Sequence, residues 1–85
     1  MKHCIVFYDD DHGCWPYGLD PDCEGALSTG QPVALFPNRK SARRAINISK
    51  KFAQLQKAQG KIHNTDFTDS IAHVKIRVVV FADEA

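Results

Sequence analysis

No aspartate or glutamate occurs between Asn38 and Lys61, although the 85-residue chain holds ten acidic residues. Exposed helices ordinarily mix signs to gain i,i+4 pairs, so this gap speaks against a plain solvated helix in that span. Apolar runs are short. After Met1-Lys2-His3 only Cys4–Tyr8 precedes three aspartates, too little for a signal peptide or a membrane span, and the expectation is a cytoplasmic protein without membrane contact. Cysteine is sparse and odd in number, three in all, which argues against a disulfide framework and for reduced thiols. The sequence has no internal repeat and no low-complexity tract. It also has no helix-turn-helix, zinc-finger, RNP-like or GxxG pattern.

With 44% apolar and 25% charged residues, the chain reads as one folded domain over residues 1–85. A chain of this size removes only roughly 60 to 65% of its unfolded surface from water, so the core is expected to be small. The net charge of +1 conceals a segregation: −5 over residues 1–37, +8 over 38–61 and −2 over 62–85. Long-range fields from such a chain are weak, and any steering of an anionic partner is short-ranged and salt-sensitive.

Cys4–Tyr8, rich in β-branched and aromatic residues, predicts a first strand ending at the aspartates. Residues 9–24, interrupted by Gly13, Pro16, Gly18 and Pro21, read as a long acidic loop held by Trp15, Tyr17 and Leu19. Ala26-Leu27 and Val33–Phe36 flank Ser28–Gln31 and suggest a hairpin with Gly30 in its turn. Asn38 is placed as the N-cap of a helix over 39–59, with Gly60 at its C′ position. At 100° per residue, Ala42, Ala45, Ile46, Ile48, Ser49, Phe52, Ala53 and Leu55 share one half of that helix and the cations the other. Phe67 is expected to pin the following connector to the core. Alternation from Ala72 to Phe81 predicts a last strand with one wholly apolar face. The expected architecture is α+β: a small single-layer mixed sheet of three to four strands with one long amphipathic helix on one face, in the order β-loop-β-(β)-α-β. A strand–helix–strand run favours a right-handed parallel crossover where the two strands are neighbours.

The basic span carries the leading functional expectation. Arg39, Lys40, Arg43 and Arg44 crowd a helix N-terminus, where each cation costs roughly 0.3 to 1 kcal/mol at low salt. Guanidinium groups ringing free helix amides suit phosphate. Lys50, Lys51, Lys57 and Lys61 extend the cations along the helix, a pattern that suits a nucleic-acid backbone. The expectation is a non-enzymatic binding module for nucleic acid. Its alternative is a small adaptor or inhibitor, of a kind that phages and mobile elements encode, set against an acidic protein surface.

Weaker signals lie in the acidic segment. His12, Cys14 and Cys23, with His3 or Cys4 as a fourth ligand, compose a zinc set without a paired C-x-x-C signature, and otherwise no cofactor is expected. Trp15 and Tyr17 form a second candidate contact for a protein partner. A homodimer is a further expectation, suggested by the opposed charge blocks and by Val79 and Phe81 on the outer sheet face. The short stretch ending in Asp9-x-Asp11 resembles the nucleophile segment of haloacid-dehalogenase-type phosphatases over a few residues. The chain is too short for that fold and lacks its separate Lys and acidic motifs.

Overall fold

The computed structural model describes residues 2–60, 67–69 and 71–80. Period-two alternation builds the first strand, β1 (Lys2–Asp10), which buries Cys4, Val6 and Tyr8 and leaves Ile5 and Phe7 partly exposed. The strand does not stop at Asp9. It runs through Asp10, whose Oδ1 accepts hydrogen bonds from the backbone N–H of His12 (2.8 Å) and Gly13 (3.1 Å) and so closes the turn into β2 (Gly13–Pro16). β2 pairs antiparallel with β1, Tyr8 opposite Trp15 and Asp10 opposite Gly13. Pro16 is tolerated because β2 is an edge strand.

The segment read as a loop over 9–24 is therefore mostly strand. After β2 come β3 (Gly18–Asp20), a 3-10 turn at Pro21–Cys23 and β4 (Ala26–Ser28), with β3 and β4 forming a separate two-stranded antiparallel sheet. Ala26–Ser28 thus pairs backward with β3 and not forward with 33–36, as the expected hairpin required. Gly18 allows this path, since a Cβ there would collide with the carbonyl oxygen of Pro32. Phe36 instead bridges to Cys4, with Cys4 N–H donating to Phe36 O and Phe36 N–H to Cys4 O, both at 2.8 Å.

The last strand, β5 (Val74–Val80), lies antiparallel along the other edge of β1, from Lys2 opposite Val80 to Tyr8 opposite Val74, in the order β2-β1-β5. The segment before the helix and β5 both run antiparallel to β1 and are separated by it. The parallel crossover between neighbours does not form. The small α+β architecture with one long helix stands, its strands divided into sheets of three and two. The apolar face of β5 is covered only in part: Val74 and Ile76 pack on the core, whereas Val78 and Val80 are exposed. Phe81 lies outside the described residues.

Helix α1 (Arg39–Ala58) begins where Asn38 Oδ1 accepts from Ser41 N–H at 2.9 Å, and Gly60 follows it in the left-handed region, φ 76°. Its buried residues are small, Ala42, Ser49 and Ala53, which lets strands approach the helix closely. Ser49 Oγ ties the layers together, accepting from Leu27 N–H of β4 (2.8 Å) and donating to Ala45 O (2.7 Å). Ile48 and Leu55, expected inside, are exposed. They sit at the margin of the apolar half, and the two short strands are too narrow to cover them. Tyr17 is wholly buried against Phe67, ring centres 5.2 Å apart, and Phe67 is buried as expected.

Candidate nucleic-acid interface

α1 sets its cations by period. Placed at 100° per residue, Arg39, Arg43, Lys50 and Lys57 fall within about 40° of one line, and Lys40, Arg44 and Lys51 form a second line beside it. All seven are exposed. From Arg39 to Lys57 the first line extends about 27 Å at 1.5 Å per residue. Lys61, the eighth expected cation, lies outside the described residues.

The question for such a face is whether the protein neutralises it. Lys57 Nζ meets Asp69 Oδ1 at 2.9 Å, an exposed pair of little energetic consequence. Among the described residues, no carboxylate lies within ion-pair reach of Arg39, Lys40, Arg43, Arg44, Lys50 or Lys51.

Several acidic side chains of the N-terminal part act locally instead. Asp9 faces Lys75 at 3.6 Å. Asp10 caps its own turn, and the His12 N–H above all holds its carboxyl below the usual carboxylate range. Asp20 Oδ1 accepts from Asp22 N–H at 2.9 Å and caps the 3-10 turn. Cations at the first turn of α1 therefore crowd the positive helix end with no anion among the described residues to offset them.

The other expected sites are dispersed. His12 lies in the β1–β2 turn, Cys14 on β2 opposite Asp9, and Cys23 in the 3-10 turn beyond β3. No group of three or more His, Cys, Asp or Glu able to hold a metal occurs among the described residues, so the zinc set is not assembled. His12 and Cys14 belong to the β1–β2 hairpin and Cys23 to the turn between β3 and β4, a separation that spacing in the sequence could not reveal. Burial pushes the Cys23 thiol up, and neighbouring Asp20 adds to the shift. Tyr17 cannot be a partner anchor, because it fills the core. Trp15 is half-buried and stacks on Tyr8, ring centres 4.8 Å apart at 21°. The Tyr8 ring also meets His73, ring centres 5.6 Å apart, and the His73 Nδ1 lies 3.1 Å from Asp9 O.

Sequence reasoning missed one surface feature, a groove between α1 and the β3–β4 connection that holds Leu19, Ile48 and Leu55. The only sequence signal was that Ile48 and Leu55 lie at the edge of the apolar half, next to the second line of cations. Comparison with protein-family models, with curated proteins and with solved structures finds no match to this chain. No helix of the described residues is long and apolar enough to cross a membrane.

Proposed function

We propose that this protein is a small non-enzymatic binding module whose α1 face contacts the phosphate backbone of a nucleic acid. The observation that supports the reading is the set of six exposed helix cations without an internal partner among the described residues. Holding like charges together at the positive end of a helix opposes folding, and a polyanion reverses that opposition by releasing counterions. Contacts of this kind read the backbone and give little sequence preference.

Fluorescence anisotropy with labelled single- and double-stranded oligonucleotides tests the proposal. Engagement of the four cations of the first line predicts a slope for log affinity against log salt of about −3.6 on the duplex and about −2.8 on the single strand. Replacing Arg43 and Lys50 by Glu should abolish measurable binding at physiological salt. Affinity unchanged by salt and by that double reversal would sink the reading. The alternative partner for the same cations, an acidic protein surface, gives a different result: no anisotropy change with either oligonucleotide, and one protein retained stoichiometrically after nuclease treatment.

A further inference from the structure

The groove beside α1 has a composition that a polyanion does not require. Leu19 is 47% exposed, Ile48 51% and Leu55 62%, large apolar side chains left in water along one helix flank. The groove consists of two depressions that meet at Ile48, one lined by Phe52 and Leu55 and the other by Phe36 and Leu19. Its two walls carry opposite charge. The α1 wall presents Arg44 and Lys51, and the opposite wall is the connection between β3 and β4, with exposed Glu24. Glu24, from the β3–β4 connection, lines the same stretch of the groove as Ile48, Lys51 and Leu55 of α1.

That arrangement is self-complementary under one symmetry. A two-fold axis lying along the groove turns each left wall onto the other molecule's right wall and keeps height along the helix unchanged. Acidic wall then meets basic wall twice, Glu24 against Lys51 of the second copy and the reverse, while Ile48 and Leu55 pack on their equivalents. An axis across the groove would set like charges together. We infer that this groove is the contact surface for a second copy of this chain, in a two-fold dimer with the α1 helices side by side and parallel.

The surface differs from the outer sheet face that the sequence suggested for self-association. It shares Arg44 and Lys51 with the cations of the nucleic-acid reading, whereas the line Arg39, Arg43, Lys50 and Lys57 is turned away from the groove.

Sedimentation equilibrium of the nuclease-treated full chain over a wide concentration range tests the inference. The expected mass rises with concentration from the 9.5 kDa of one chain to twice that value. Leu55→Glu and Ile48→Glu should each weaken the dimer at least about tenfold, since a charge is buried in its apolar centre. Both side chains are half or more exposed in the monomer, so circular dichroism should be unchanged.

Charge exchange fixes the geometry. Lys51→Glu and Glu24→Lys should each weaken association about tenfold, because each replaces two attractions by two repulsions, and the double variant should restore it. A 9.5 kDa mass at every concentration overturns the inference. So does a dimer indifferent to Leu55→Glu, or a double exchange that fails to restore what the single ones lose. Loss of the dimer with oligonucleotide binding retained in Leu55→Glu would separate this surface from the proposed function, whose own failure is read from Arg43 and Lys50.

Discussion

Ser49 joins the helix to the β3–β4 sheet through a side-chain hydrogen bond. It sits 2% exposed among apolar neighbours, and its hydroxyl both accepts from Leu27 N–H and donates to Ala45 O. Ser49→Ala removes the oxygen to which the Leu27 N–H donates, and urea unfolding should show a loss of about 1 kcal/mol. Cysteine chemistry provides a second reading at this level. Cys14 is exposed, Cys23 half-buried with a raised thiol pKa, and Cys4 buried. Timed alkylation followed by peptide mass mapping should modify Cys14 first, Cys23 next and Cys4 last. The Cys23 rate should rise to its plateau only at higher pH than an unperturbed thiol, because burial and then Asp20 disfavour the thiolate. Asp22→Asn should move that profile toward lower pH. Neither Ser49 nor Cys23 announced its role in the sequence, where serine on an apolar helix stripe and an isolated cysteine have several readings.

Among the elements, α1 was the most legible and is the least comfortable electrostatically. Its apolar period, Asn38 ahead of it and Gly60 behind it defined a helix over 39–59 that the structure places at Arg39–Ala58. Asn38→Ala removes the oxygen that holds Ser41 N–H and should cost about 1 kcal/mol. Lys40→Glu should do the opposite, raising stability by about 0.5–1 kcal/mol at low salt, because it places an anion at the positive helix end. Thermal melts of the two variants with and without added salt check both signs, and salt should shrink the second effect more than the first. A variant that gains stability while losing oligonucleotide affinity would tie the strain at this end directly to its proposed use. β2 and β3 were illegible for a different reason. They are four and three residues long and contain Pro16 and Gly18, which local rules assign to loops. The edge position of β2 excuses the proline, and the approach of Pro32 demands the glycine, and neither circumstance is visible along the chain.

For the molecule as a whole, the near-balance of charge means that its behaviour toward anions follows from where the charges are held and not from their sum. The span without acidic residues, the amphipathic period of α1 and the small α+β composition were set by the sequence itself, since they follow from residue order and helical geometry alone. So was the burial of Phe67, the one aromatic residue in a mostly polar connector. Tertiary structure alone decided that Tyr17 belongs to the core and not to a partner, that His12, Cys14 and Cys23 stay apart, and that Ala26–Ser28 pairs with β3. It alone decided, too, that Asp10 and Asp20 cap their own turns while six of the helix cations have no carboxylate partner among the described residues. Pairing between distant strands and the cover over each side chain depend on which surfaces meet in space. Local propensity carries no record of that meeting, which is why the groove at Ile48 and Leu55 emerged only from the folded chain.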